Sequence, residues 1–563
     1  MKNNTITILL FLLITVSTSN SQVNWNTSFI NTGGTTIYDL ASNSTPQWIA
    51  QDPANPLNLH AVVMASPLGD PTSFPGRRTR YYFSSDGGNS WNFTANVNDR
   101  KSGFPSISVA SDGVAVICNY GTSAGNTMTH NMVHFDAASG LGSFVTYEPP
   151  ASMGNYFFGK FCLTSSVSNP VKFILMGQNM LSDSSFLTTG FTTWTPWTHF
   201  GNNSPEGYTA ALGQDGRIGI AYIQNGTSIN DFKDVYFIET TNNGSTFSTP
   251  LLIFKAKFNG AGADSLAAFR GLSMAYKGNI PCVTFETVNH DPLSGNYSQK
   301  APAKIMFWAS DLPGTDPERC LTVASKSNVH IPSQDSIKTG VNDQFGSLSR
   351  PSIGISSDNN TIMIVFQAFT NKWGGTAPDT TNYKALYITK ATNNYNFSTP
   401  YKFTPDSPLM DWSYPSISVK NYKTTSSLYA NITALRDSIP GTYVNASGNG
   451  QSLAELYYIR LSTAHTIGIS NETGITEDYT LEQNYPNPFN PVTNIKYSLP
   501  KDGNIKLAVY DIIGNEVDVL LNRKQASGKY EISWNAERFA SGVYFYKLIT
   551  NEFTQTKRML LLK

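Results

Sequence analysis

Short apolar runs separated by clusters of Gly, Asn, Asp and Pro fill residues 22–464, and no window there keeps the 3.6-residue period of an amphipathic helix. The runs recur in a fixed order. One half of the recurring unit reads Phe104-Pro-Ser-Ile-Ser-Val-Ala-Ser-Asp-Gly-Val-Ala-Val-Ile117, Arg350-Pro-Ser-Ile-Gly-Ile-Ser-Ser-Asp-Asn-Asn-Thr-Ile-Met-Ile364 and Tyr414-Pro-Ser-Ile-Ser-Val419, with looser copies beginning at Gln47, Gly207 and Arg270. Each describes two strands joined by a tight turn in which Gly or Asn accepts a positive φ. The other half is an aromatic strand followed by a turn, at 80–86, 132–136, 234–239, 304–309, 385–389 and 455–459, with a weaker unit at 160–197. The aligned heads fall near residues 46, 105, 208, 270, 351 and 415, and the wide interval after 105 hides one more, so the pitch is about 60 residues. Four strands per unit, with no helices, predict an all-β chain built round a seven-bladed β-propeller. A six-bladed ring is the alternative, because the 160–197 unit is weak. The last unit runs out after its third strand at Leu461, and residues 28–40 are placed to supply the fourth strand and close the ring.

A smaller pattern follows a polar linker at 465–478. Ile505, Leu507 and Val509 alternate with outward residues, as do Tyr530, Ile532 and Trp534, while Gly514-Asn515 and Ser527-Gly528 supply turns. The Pro-rich lead-in Asn484-Tyr485-Pro486-Asn487-Pro488-Phe489-Asn490-Pro491 cannot sustain ladder hydrogen bonds and predicts an extended segment. About six or seven strands within 479–563 predict a small immunoglobulin-like β-sandwich. This block, with its lead-in, Tyr510-Asp-Ile-Ile-Gly514, Ser541-Gly-Val-Tyr-Phe-Tyr546 and a last strand carrying Lys557, resembles the type A C-terminal sorting domain of the bacterial type IX secretion system. The resemblance implies the type IX machinery as a partner, passage through the periplasm, export across the outer membrane and removal of the tail at the surface. At the other end, Lys2, an apolar run at 6–16 too short to cross a bilayer, and the small residues Ser19 and Ser21 read as a signal peptide over 1–21. We therefore expect a secreted or outer-surface protein, with no transmembrane segment in the mature chain.

Composition narrows the function. The 39 Lys+Arg balance 39 Asp+Glu, only 14% of residues are charged, and 12% are aromatic. Such a chain is not disordered, and it has no basic excess with which to release counterions from a nucleic acid. Its four cysteines, Cys118, Cys162, Cys282 and Cys320, include no CxxC pair; Cys118 and Cys282 lie in apolar strands and read as buried thiols rather than a disulfide framework. His130 and His134 lack the Glu and the helix of a zinc motif. No cofactor or metal is expected; calcium is compatible with Gly- and Asp-rich loops, but no EF-type ligand spacing supports it.

The turn Ser84-Ser-Asp86-Gly-Gly88-Asn-Ser-Trp91 has degenerate copies at 240–247 and 390–397. A short Asp carboxylate accepts N–H groups of its own turn, Gly takes the positive φ, and Trp packs into the sheet. These residues resemble the Asp boxes of sialidase-like (BNR-repeat) propellers, a structural feature that lies away from the active centre. Sialidase chemistry needs three arginines clamping a carboxylate, a Tyr–Glu nucleophile pair and an Asp acid/base. The family's Arg-Ile-Pro motif is absent, and Arg77, Arg78 and Arg80 lie in and beside a loop without that context. Arg270 and Arg350, at the heads of two units, are catalytic candidates together with Glu286, and Glu206 is a further carboxylate beside a strand; the competing reading makes them ion-pair partners or strand caps. The expected function is binding of a glycan or another extracellular polymer or protein, with Trp and Tyr stacking on sugar rings; the alternative is an exo-acting, sialidase-like glycoside hydrolase.

Overall fold

The computed structural model describes residues 23–562 except 24, 39, 41, 43, 72, 123–128, 165–172, 180–183, 191–192, 203–205, 226–231, 258–265, 291–296, 299–302, 334–335, 339–344, 376–379, 393, 425–426, 443–451, 465–478, 526 and 537–538. The expected signal peptide and linker lie outside these. The chain forms two compact units, one of Met1–Tyr422 with Ala430–Leu461, the other of Lys423–Tyr429 with Ser462–Lys563.

Among the described residues, the first unit holds seven antiparallel sheets, each a meander of four main strands. Sheet one comprises Ile49–Gln51, Leu59–Ala65, Arg78–Ser84 and Asn92–Asn96; sheet two Ser102–Val109, Ala115–Thr122, Thr129–Asp136 and Phe144–Tyr147; sheet three Phe157–Leu163, Phe173–Asn179, Ser184–Gly190 and Thr198–Asn202. Sheet four comprises Tyr208–Leu212, Ile218–Asn225, Phe232–Thr240 and Leu251–Phe254; sheet five Ala267–Lys277, Ile280–His290, Lys304–Ala309 and Leu321–Ala324; sheet six Leu348–Ser356, Ile362–Gly374, Thr381–Ala391 and Tyr401–Lys402. Sheet seven takes Asp411–Ile417, Ser427–Asp437 and Ala454–Ala464 from the end of the unit and its outermost strand, Asn26–Thr36, from the beginning. The interval between the heads at 105 and 208 is filled by sheet three.

The first strand of each sheet touches the first strand of the next, and that of sheet seven returns to sheet one, so the sheets follow one another in a closed, propeller-type circuit. The Pro-Ser-Ile motif is the stitch. In two of its three copies the Ser oxygen accepts a backbone N–H from the neighbouring first strand, Ser352 from Ile417 at 3.1 Å and Ser416 from Trp48 at 2.8 Å, and Ser273 of a looser copy receives that of Ile353 at 3.3 Å. Its Ile (Ile107, Ile353, Ile417) is buried. Apolar side chains fill the wedges between successive sheets: Cys118, Val133 and Phe135 meet Phe161 and Phe173, and Phe237 meets Met274 and Trp308. Strands covered on both faces lose their alternation. All residues of Leu59–Ala65 and of Leu348–Ser356 are buried, whereas the outer strand Asn92–Asn96 has none buried.

The second unit carries a three-stranded sheet (Thr480–Leu481, Val492–Leu499, Gly528–Asn535) and a four-stranded one (Glu516–Gln525, Gly503–Tyr510, Gly542–Thr550, Thr554–Leu561). They share one core in which Ile495 and Trp534 from the first face Leu507, Tyr546 and Met559 from the second. Ile505, Leu507 and Val509 are buried as the pattern requires, and the small Ala508 between the last two is buried with them.

Candidate functional site

In a four-stranded meander, the connections from second to third strand and from sheet to sheet lie at the end where the first strand starts; the remaining turns lie at the other end. We call these the head end and the turn end. At the head end, Phe104, Phe158, Glu206, Arg350 and Tyr414 occupy equivalent positions, each with φ between 52° and 57°. Four of them sit at breaks in register, between Gly103 and Ser106, Phe157 and Lys160, Ser349 and Ser352, and Ser413 and Ser416. A left-handed non-Gly residue costs about 1–3 kcal/mol, and a bulge re-aims its side chain. Here head residues of neighbouring sheets meet: the Phe104 and Phe158 rings lie 5.4 Å apart, and the Arg350 guanidinium lies 5.7 Å from the Tyr414 ring and 5.4 Å from Phe345.

The catalytic candidates gather at this end, and the Glu286 carboxylate is spent on the backbone of the other two. The fully buried Glu286 carboxylate accepts the backbone N–H of Arg270 at 3.2 Å and of Arg350 at 2.5 Å, tying sheet five to sheet six. Arg350 is fully buried and Arg270 half-buried. Glu206 is buried too, accepts Ser42 Oγ–H at 3.1 Å and lies 4.0 Å from Lys160 Nζ. Arg77 takes another course: it is buried with its guanidinium 4.8 Å from the Tyr38 ring and close to Phe104 and Tyr120. Arg78 bonds the Pro75 carbonyl, and Arg80 lies over Phe93.

Sequence reasoning missed four participants. Lys160 donates to the Thr45 carbonyl at 3.0 Å, and burial lowers its pKa against the pull of Glu206. Lys233 is brought down to about 8 by burial, with Arg270 adding to the effect. Lys384 and Asp411 form a buried pair at 2.7 Å. Finally, the segment leading from the first strand of the chain to sheet one crosses the head end: Ser44 Oγ–H donates to the Arg270 carbonyl at 2.7 Å and Thr45 Oγ1–H to the Pro351 carbonyl at 2.8 Å. The axial cavity beside it, lined by Thr45, Lys160, Thr209, Ser273, Ser352 and Val419 among others, has free space for about one water molecule. These groups have no motif; the one signal in the sequence is the Phe158-Gly-Lys160 head, which matches Glu206-Gly-Tyr208.

At the turn end, Ser84 Oγ–H donates to Asp86 Oδ1 at 2.8 Å, Gly88 N–H donates to Ser84 Oγ at 2.9 Å, and Ser90 N–H to Asp86 Oδ1 at 2.9 Å. Burial alone would raise the Asp86 pKa, but bonds from Ser90, Ser84 and Asn89 outweigh it and hold the carboxyl at about 2. Trp91 packs 5.1 Å from Tyr458. The copy at 240–247 reproduces the pattern with an amide: Gly244 N–H donates to Thr240 Oγ1 at 3.1 Å and Thr246 N–H to Asn242 Oδ1 at 2.9 Å. In the 390–397 copy, Asn394 Oδ1 accepts Thr392 Oγ1–H and Asn396 N–H, each at 3.3 Å.

His130 pairs with Glu148 at 2.7 Å, and His134 bonds Thr146 and Asn119. Among the described residues, no three His, Cys, Asp or Glu side chains are grouped to hold a metal ion. The four cysteines are free thiols, and burial pushes those of Cys162, Cys282 and Cys320 up to about 12. No helix of the described residues is long and apolar enough to cross a membrane.

In the second unit, the Pro-rich lead-in is anchored at two buried residues. Asn484 donates its N–H to Tyr546 Oη at 2.8 Å and its amide to Thr493 Oγ1 at 2.9 Å; Phe489 packs 5.6 Å from Trp534 and exchanges backbone bonds with Leu560 and Leu562. Asn487 Oδ1 accepts Leu560 N–H at 2.9 Å, while Tyr485, Pro486, Pro488 and Asn490 are exposed. Lys557, half-buried, pairs with Tyr546 across the last two strands.

No curated protein is significantly similar to this chain. Solved structures that resemble it include a fungal alcohol oxidase in complex with copper (TM-score 0.37, 10% identity, covering 96% of this chain and 100% of that one). Others are a lectin of Aleuria aurantia with a six-bladed β-propeller fold (0.35, 12%, 66% and 99%) and the endosialidase of phage phi92 (0.37, 9%, 95% and 87%). Residues 483–562 match the secretion system C-terminal sorting domain, and a chain ending in that domain is secreted to the cell surface or the extracellular space.

Proposed function

We propose that this is a type IX secretion substrate whose first unit, residues 22–464, is a seven-bladed, sialidase-like propeller that binds a glycan at its head end. Residues 479–563, as an immunoglobulin-like sandwich, direct it through the periplasm and across the outer membrane after loss of the leader at 1–21, and the turn at Ser84–Trp91 acts as a structural Asp box. Binding is favoured over hydrolysis by one observation: the head-end acids are occupied. Glu286 holds two backbone N–H groups, Glu206 is buried against Lys160 and Ser42, and Ser44 and Thr45 bond the backbone of sheets five and six across the head end. A general acid or nucleophile must reach its substrate, and a carboxylate spent on the backbone of its own fold does not. The head end keeps the longest connections, such as those between His290 and Lys304 and between Asp437 and Ala454, which suit recognition.

The purified full-length secreted protein, incubated with sialylated and plant polysaccharides, is expected to bind at least one of them and release no sugar. Release of monosaccharide would establish the exo-acting hydrolase instead. Removal of 479–563 in the native host is expected to leave the protein inside the cell envelope, and normal delivery without it would refute the sorting role.

A further inference from the structure

Resting on that glycan-binding reading, we propose that Trp373 is the sugar-stacking platform. The chain has nine tryptophans. Eight are buried or half-buried, and Trp373 alone is exposed, at 57%. It stands near the head end of the long hairpin Ile362–Gly374 and Thr381–Ala391, just past a break in register between Phe369 and Trp373, where a bulge turns the side chain away from the ladder.

The arm that carries it is braced. Asn382, opposite Trp373, donates its amide to the Thr370 carbonyl at 2.7 Å and accepts Lys338 N–H at 2.7 Å. Tyr383 Oη–H donates at 2.9 Å to the carbonyl of Ser438, just past the sheet-seven strand Ser427–Asp437, and Gly374 fits so closely that an added Cβ would lie 3.1 Å from Tyr383 and 3.2 Å from Pro440. An indole held on a fixed backbone loses little freedom on binding.

The surroundings select the ligand. On the described residues of this hairpin, no other large apolar side chain is exposed. The two residues before it in the strand, Asn371 and Lys372, are exposed and carry amide and ammonium groups. A protein-docking face has an apolar core of several residues. One flat, exposed indole on a strand end of polar residues instead matches a pyranose, with an apolar C–H face and a polar rim.

The test is affinity electrophoresis of the full-length protein in gels containing laminarin, xylan, galactan or sialylated mucin. Iodide quenching of tryptophan emission is measured with and without the retarding polymer. Wild-type protein is expected to be retarded by at least one polymer, with the quenchable emission protected; Trp373→Ala should weaken retardation about tenfold or more, and Trp373→Phe only about threefold. An unchanged melting temperature for both variants would show that the fold is kept. Retardation of Trp373→Ala equal to wild type overturns this assignment and leaves the glycan reading standing. Wild-type protein that no polymer retards overturns both, as would emission quenched only by a protein partner.

Discussion

The turn end and the head end of the sheets handle chain reversals by opposite means. At Ser84–Trp91 the side-chain hydrogen bonds of Ser84 and Asp86 close within four residues, and only the rim of the turn, at Gly87 and Asn89, is also held by Leu57, Tyr458 and Arg460. At the head end, Glu286 binds backbone 16 and 64 residues away, and Thr45 binds Pro351 across 306. The local device is modular, so it recurs at 240–247 with Asn for Asp. The non-local device is a knot of single-copy contacts in which each residue is answerable to distant partners. A protein that must vary its loops while keeping its blades gains from that division: the rigid turns anchor one end, and chemical variety collects at the other.

That contrast is most directly broken at Glu286. Replacing it with Ala strands two buried N–H groups between sheets five and six and is expected to cost about 3–5 kcal/mol, with Glu286→Gln in between. Calorimetry showing wild-type melting for Glu286→Ala would mean the head end is not held by this carboxylate. Next comes Gly88→Ala, where φ is +87° and the new Cβ would lie 2.1 Å from Tyr458 Cε1; a loss of about 2–3 kcal/mol in denaturant titration is expected.

The two ends respond to pH in the same direction but in different windows. Lys233 has a folded pKa near 8, below its unfolded value, so the unfolded chain holds more protons between pH 8 and 10.5 and stability rises as pH increases through that window. The gain between pH 7 and 9.5 is expected to reach at most about 2 kcal/mol and to vanish in Lys233→Met. Melting curves with identical pH slopes for the two proteins would refute it. Asp86, held at about 2, stabilises above the unfolded carboxylate range and loses that contribution as pH falls toward 2. Asp86→Ala is expected to cost about 1 kcal/mol and Asp86→Asn less, since Asn242 makes the equivalent bonds. An Asn variant as damaged as the Ala variant would show that the charge matters at this turn.

The same division explains what the sequence made legible. Strands, turns and the sorting lead-in were readable because their determinants are contiguous: Pro-Ser-Ile, Asp-Gly, and Asn-Pro-Phe each carry their own geometry. The role of Ser352 and Ser416 as stitches between sheets was not readable, because their partners sit in other repeats. Sheet three was faint for a related reason, since its head Phe158-Gly-Lys160 replaces Pro-Ser with residues chosen for Glu206 and Thr45. Arg350 and Glu286 were singled out as reactive groups, yet what joins them is a backbone N–H, which no side-chain motif records. Ser44 and Thr45 belong to neither period nor repeat, and their place across the head end follows only from the circuit of sheets.

The pairing of Asn26–Thr36 with Ala454–Ala464 sets a timetable for the molecule. Thr32 meets Leu456 across 424 residues, so the strand that emerges early in synthesis waits for the last strand of its unit before it has a partner. Until then, sheet seven presents a raw edge, and a chain cut short anywhere before residue 454 keeps that edge permanently. The sorting domain lies after the sealing strand in the chain, so a ribosome that has made the export address has already made everything needed to shut the ring. Order along the chain thus acts as a proofreading step: a copy cut short before the sealing strand lacks both the seal and the address.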